Sequence, residues 1–363
     1  YPGNDEVASF YSLALNGWGT TDRSPVVFEK AATIGLEVLQ RNPRHPGALH
    51  YVIHAYDNPD HASLALETAD KYAIVAPDAS HALHMPTHTY LALGLWDKVV
   101  SSNEVSWAAS RARQERKKLD NDALGYHSYH WLLYGYLQQE HDKKARALID
   151  SMKEFCRVLP SPRARAHLIY LKSTYAAETN DYSNIVGLDI RQNDLNISVR
   201  AKEYFVKGMQ AFYNKNEEAL DNVILQLAGE RLVEESKAAD KGLRICGNVN
   251  PSQVTKSDLK ESMVVELELK AMKAGLKKNS ALTEKLLKEA VSLQTLNGYS
   301  YGPPSVVKPS FEMYGEWLLE NNKPKEAIEQ FDLSLKLAPN RLLSKKGKAA
   351  AQKLLESNPI ASR

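Results

Sequence analysis

A chain of 363 residues with 43% hydrophobic and 25% charged residues has the makeup of a folded, soluble protein and not of a disordered one. Its formal net charge of +2, with acids and bases interspersed, offers no basic face for nucleic acid, and no apolar run approaches the ~20 residues that span a membrane. Cys156 and Cys246 are too far apart and too isolated for a zinc knuckle or a disulfide framework, so both are expected as buried thiols.

Along the chain, apolar spacing and helix-stop signals predict helices and no strand. The opening YPGNDEVASFYSLALNG is a turn running straight into a helix, so residue 1 reads as a boundary left by processing or truncation. Helix pairs follow at 5–16 and 23–41, 46–57 and 61–75, 80–94 and 96–118, and 122–139 and 142–157. They continue at 162–179 and 181–192, 198–213 and 215–236, 257–276 and 281–297, and 309–321 and 324–337, with a last helix at 341–356. Asp5, Ser80 and Asp122 stand where a side-chain oxygen can accept first-turn amides. Residues 245–258 form an ordinary connection. The segment NGYSYGPPSVVKPS, with Tyr299, Tyr301, adjacent prolines and Lys308, reads as a stiff connector of a kind that can also carry function.

A period organises the sequence. His50 and His54 are followed at an interval of 34 by His84 and His88, and Tyr56 with Tyr90 and Pro43 with Pro77 keep that interval. In YHSYHWLLYGY, His130 precedes Tyr136 as His84 precedes Tyr90, but 46 residues on, 12 more than the period. The C-terminal stretch SFEMYGEWLLENNKPKEAIEQFDLSLKLAPNR places Phe311, Tyr314, Gly315 and Leu318 on one helix, Ala327 and Phe331 on the next, and Pro339 at the close. On these residues the chain resembles tetratricopeptide-repeat (TPR) proteins, whose helix–turn–helix unit is 34 residues long. The likeness is strongest at the C-terminus, good over 43–157 and loose over 160–300. It implies an all-α fold: one α-solenoid, a right-handed superhelix of TPR-like helix pairs over residues 1–363. Its parts would be His-rich repeats at 1–157, divergent pairs at 158–300, and a C-terminal repeat with a capping helix at 301–363.

Ten of the eleven histidines lie between residues 45 and 141. Residues i and i+4 share a helix face, so His50 and His54 project together, with Asp57 one turn further on. By the resemblance, positions 2, 5, 9 and 12 of each first helix line a concave groove. Position 2 falls on Gly47, His81 and His127, and position 5 on His50, His84 and His130. Position 9 falls on His54, His88 and Tyr134, and position 12 on Asp57, Leu91 and Leu137. Glu312 and Glu316 take positions 5 and 9 of the last repeat, beside Lys308. Tyr56, Tyr90 and Tyr136 are expected in the core.

Imidazole suits Zn, Cu, Fe and Ni, and an i,i+4 pair can chelate from one helix. With neighbouring helices about 8–10 Å apart, His50, His54, His84 and His88 are expected to share one divalent ion, with Asp57 as a further candidate ligand. His130, another helix away, would fit a second ion, a substrate contact or no role at all. The zincin template does not apply, because HxxxH here lacks the glutamate of HExxH; Pro86 inside the helix expected at 80–94 clashes with the carbonyl four residues back, and a start or kink there would take His84 and His88 off a common face. Glu312 and Glu316 are a solvated face, a cation site or a general base. Histidines with ordinary pKa values near 6.5 would make groove affinity change between about pH 5 and 7.5.

No phosphate-binding Gly-rich loop, GxSxG or Cys–His arrangement is present. Two functions follow. One is a TPR-type binding module whose His-lined groove holds a peptide, protein or small ligand, with or without a metal. The alternative is a metal-dependent hydrolase or oxidase. The segments HPGALHYVIHAYD, APDASHALHMPTHTYLALGLWD and YGPPSVVKPSFEMYGE also resemble a group of bacterial TPR proteins. That likeness implies a bacterial cytoplasmic or periplasmic setting and a further repeat region ahead of Tyr1, and it implies no reaction.

Overall fold

The computed structural model describes residues 3–22, 24–182, 190–237, 254–297, 299 and 301–357. They fall into two compact units, one running to Tyr136 and the other from Leu137 onward. All regular structure among the described residues is helical. No helix among them is long and apolar enough to cross a membrane. Cys246, most of the connection at 245–258 and most of the helix expected at 181–192 lie outside the described residues. Residues 181–182 and 190–192, at its two ends, are not helical.

In the first unit α1 (Asp5–Asp22), α2 (Pro25–Arg41) and α3 (Pro46–Ala55) pack on one another. The side chains of Leu15, Ala31, Ala32 and Ala55 are small enough to let these helices close. A 3-10 turn at Ala62–Ala65 leads into α4 (Leu66–Val75). Next, α5 (Ser80–His84) and α6 (Pro86–Ala92) lie against α7 (Trp96–Lys117), and α8 (Tyr126–Gln138) follows a second 3-10 turn. Pro25, Pro46 and Pro86 each open a helix, where a missing N–H costs nothing. The single helix expected at 80–94 is therefore two, divided at Met85.

In the second unit α9 (Asp142–Val158) pairs with α10 (Pro162–Thr179), and α11 (Ile197–Tyr213) packs on both α12 (Glu217–Glu235) and α13 (Lys256–Leu276). Then α13 pairs with α14 (Ser280–Asn297), α15 (Ser310–Glu320) with α16 (Pro324–Leu337), and α17 (Leu342–Ser357) closes against α16. Glycine permits close crossings in both units. A Cβ on Gly135 would meet Val100 at 2.9 Å, and one on Gly315 would meet the Phe331 ring at 2.9 Å.

A tyrosine clip recurs between helices. Tyr90 donates to Asp70 at 2.5 Å, Tyr136 to Glu104 at 2.5 Å and Tyr314 to Glu284 at 3.1 Å. Tyr90 and Tyr136 are buried as expected, whereas Tyr56 is half-buried. The expected N-caps shift. Asn4 caps α1 through the Val7 amide, Ala79 precedes α5 without a side-chain oxygen, and Asp120 caps the turn that holds Asp122. Cys156 is half-buried, not buried, and burial raises its thiol pKa.

A buried ion network holds the second unit. The Arg341 side chain, 0% exposed, donates to both oxygens of Glu312 at 2.8 and 2.9 Å and to Glu178 at 2.6 Å. Ser344 donates to Glu312 at 2.6 Å, and Lys308 to Glu316 at 2.6 Å. Burial alone would push the Glu312 carboxyl up, but Arg341 and Lys308 outweigh it and hold it at about 2. Glu312 and Lys308 are thus internal struts, not groove-facing ligands, and a carboxylate this acidic is no general base. Glu316 completes the same network. The connector before α15 is itself packed, with Val306, Val307 and Lys308 buried.

Replacing Arg341 with Ala should destabilise this unit by roughly 3–5 kcal/mol, because Glu178 and Glu312 would remain buried without their countercharge. Urea unfolding followed by far-UV circular dichroism measures it. A loss under about 1 kcal/mol would mean that water replaces the guanidinium at no great cost.

Candidate metal centre

Four helices of the first unit carry imidazoles into one column. On α3, one turn separates His50 from His54, and their Nε2 atoms lie 3.1 Å apart. The His81 ring centroid is 5.1 Å from that of His50, and the His88 centroid 5.3 Å from that of His54. His84 follows at 5.2 Å from His88, and His127 at 4.8 Å from His84. The column passes from exposed His81 through half-buried His50 to His84 and His88, which are 2% and 1% exposed. Trp131 covers its inner end, with its ring 4.8, 4.6 and 5.3 Å from His84, His88 and His127.

The His84 ring is held in a defined tautomer. Asn103 donates its amide to the Val99 carbonyl at 2.9 Å, so its Oδ1 accepts from His84 Nδ1–H at 2.7 Å. The Thr87 hydroxyl, committed to the His84 carbonyl at 2.6 Å, approaches the same Nδ1. The His84 lone pair is thereby placed on Nε2, which is buried and has no hydrogen-bond partner. His88 Nδ1 lies 2.5 Å from Asp57 Oδ2, the carboxylate–histidine arrangement that orients metal-binding imidazoles.

Two trios each bring one potential ligand atom per residue within 4.8 Å of one another: His84, His88 and His127, and His54, Asp57 and His88. The four histidines expected to share one ion do not converge on a single point. His84 and His88 converge with His127, while His50 faces His54. His84 and His88 also do not face an open groove: both are buried, and the Trp131 ring lies 4.8 and 4.6 Å from theirs.

The third repeat is displaced from its expected alignment. His127 and Trp131 occupy the i,i+4 places that His130 and Tyr134 were expected to fill. Tyr134 is 1% exposed and packs edge-on against Trp96 at 5.6 Å. Neither trio includes His130. Aligned on the column, His127 follows His84 by 43 residues, 9 more than the period. The i,i+4 spacing to His127 was a readable sign of Trp131, whereas nothing in the sequence marked Asn103. His61 stands outside the column, stacked on Tyr56 at 6.3 Å, and His45 caps α3 by accepting the Ala48 amide.

Burial sets the electrostatics. It lowers His54, His84 and His88 well below 6.5, with neighbouring imidazoles adding to the effect, and it takes His50 down to about 4. Titration between about pH 5 and 7.5, expected from ordinary values, is therefore displaced to more acid pH. Burial also raises Asp57 well above the carboxylate range. Burial thus favours the uncharged imidazole at His50, His54, His84 and His88.

No family model matches the sequence, and no curated protein matches it. Among solved structures, the crystal structure of yeast Tom70 is similar over 99% of this chain and 92% of that one, at 12% identity and a TM-score of 0.21. A superposition this loose places no residue of one chain on the other.

Acid should loosen the inner column. The folded pKa values of His84 and His88 lie below the unfolded value near 6.5, so the unfolded state binds more protons. Stability present above 6.5 is then lost as pH falls, by about 1.4 kcal/mol per pH unit per buried histidine. Asp57, raised on folding, shifts in the opposite sense. Hydrogen exchange over residues 80–92 should lose protection between pH 7 and 5.5 after correction for intrinsic rates, and unchanged protection would contradict the burial of these rings.

Proposed function

We propose that this helical-repeat chain binds a divalent transition metal, with zinc the best fit, through His84, His88 and His127. The observation that carries the reading is the buried Nε2 of His84, which has no hydrogen-bond partner and whose lone pair is fixed there by Asn103. A buried polar atom left unsatisfied costs about 1–3 kcal/mol, and a metal removes that cost. Neutral imidazoles are the form that ligates. Three nitrogens on a tetrahedral zinc sit about 3.4 Å apart given Zn–N near 2.0–2.1 Å. With ligand atoms already within 4.8 Å of one another, side-chain rotations of about an ångström complete the site.

Asp57 has a defined part in this reading. It holds His88 from behind, and its own Oδ1 is buried without a partner. A cation beside His88 favours the ionised carboxylate, so binding should release a proton wherever the raised Asp57 is still protonated. Affinity should accordingly rise with pH across that range.

Helical-repeat arrays mainly present extended surfaces to polypeptides, and a metal held in such an array would organise a binding surface for a peptide, protein or small ligand. One observation favours the second reading, a metal-dependent hydrolase. Three imidazoles leave a tetrahedral ion one position for water, the arrangement of catalytic zinc sites.

Protein purified without added metal and titrated with Co2+ should develop the visible absorption of a tetrahedral nitrogen-ligated ion. His84→Ala and His127→Ala should abolish the tight equivalent, and Asp57→Asn or Asn103→Ala should weaken it about 10–100-fold by loosening ring orientation. His61→Ala is the control and should bind like the parent. A His84→Ala protein that keeps the parent's affinity would falsify this site.

A further inference from the structure

We propose that His50, His54 and His81 form a second, outer metal position that captures the ion from solvent and passes it to the buried site through His88. The inference rests on the metal reading above. It is carried by the graded exposure and even spacing of the column, which a buried site alone does not require.

The outer pair is close to a chelating geometry: its two Nε2 atoms share one hydrogen bond, and a shift of that proton to Nδ1 of the donor ring frees both lone pairs for an ion. The Nε2 atoms of His50 and His54 lie 3.1 Å apart, close to the roughly 3.4 Å separation of two nitrogens on one tetrahedral zinc. The His50 ring is held between Tyr51 and Tyr72, stacked at centroid distances of 5.5 and 5.7 Å, so its orientation is fixed before any ion arrives. His81 is the exposed member, 5.1 Å from His50, and can swing to supply a third ligand.

The route inward follows from ring spacing. Two imidazoles sharing one tetrahedral ion have centroids about 5 Å apart. Successive rings from His81 to His50, His54, His88 and His84 are separated by 5.1, 4.8, 5.3 and 5.2 Å. Each neighbouring pair can therefore hold the ion between them while one ligand replaces another. The exchange balances simply. One imidazole lone pair enters as another leaves, the ion stays divalent, and no electron is transferred. The direction is set by the sites: a half-buried pair and an exposed third ring at the mouth, against buried His84 and His88, held by Asn103 and Asp57, with half-buried His127 beside them. His88 stands at the junction as a member of both trios, and with Nδ1 bonded to Asp57 it takes the ion on Nε2 alone.

The test is Co2+ binding to the whole chain, by equilibrium titration and by stopped-flow absorbance, for the parent and the double variant His50→Gln/His81→Gln. The parent should take up two equivalents of unequal affinity. The double variant should lose the weaker one, keep the affinity of the tighter one, and fill it about tenfold more slowly or worse. Circular dichroism establishes that the variant is folded, and His50→Gln alone serves if the double variant is not. Filling of the tight equivalent at the parent's rate would overturn the loading route and leave the buried site standing. Absence of any tight Co2+ binding in the parent would overturn both readings.

Discussion

The hydrogen bond between His88 Nδ1 and Asp57 Oδ2 ties the first unit together chemically. Asp57 lies just beyond the end of α3, and His88 sits in α6, so the bond links the first turn of the column to its interior across 31 residues of sequence. It turns the far edge of His88 toward His84 and His127, and it places a buried acid beside a buried base where burial disfavours both charges. Such a pair is costly if nothing uses it. The neighbouring imidazoles deepen that cost, because protonating any one of them raises the penalty for the rest. Burial and mutual repulsion favour the uncharged form at His50, His54, His84 and His88, and the uncharged imidazole is the form that receives a metal ion.

The second unit handles buried charge differently. Arg341 neutralises Glu178 and Glu312 with short bonds to each, and Lys308 extends the network to Glu316, so internal partners satisfy the charges. This contrast separates a structural cluster from a candidate site. Both contain ionisable groups spaced one helical turn apart, but one closes on itself, while the other leaves His84 Nε2 and Asp57 Oδ1 without hydrogen-bond partners.

The helical pairs were readable because apolar spacing and proline placement are local properties, and most boundaries fall within a few residues of expectation. The histidine period pointed to the right helices. It could not say which histidines meet, because convergence depends on crossings that sequence does not encode locally. Two departures have local causes in the sequence. Pro86 splits the second repeat's helix, and the insertion before the third repeat slides its column contacts by three residues, so that His127 and Trp131 take the places assigned to His130 and Tyr134. Glu312 misled for a different reason. Its spacing from Glu316 matches that of the histidine pairs, and only the distant Arg341, supplied from the residue before α17, converts it into a strut.

Trp131 gives this arrangement an optical consequence. An indole in contact with three imidazoles, and shielded from solvent, emits from an apolar surrounding whose main variable is the state of those rings. A paramagnetic ion such as Cu2+ or Ni2+ lodged beside them would quench that emission at contact distance, while Zn2+, with its closed d shell, would leave the intensity and alter only the field around the ring. Against the background of the four other tryptophans, the inner end of the column thus carries its own reporter, a component of the emission that responds to a paramagnetic ion without an added label.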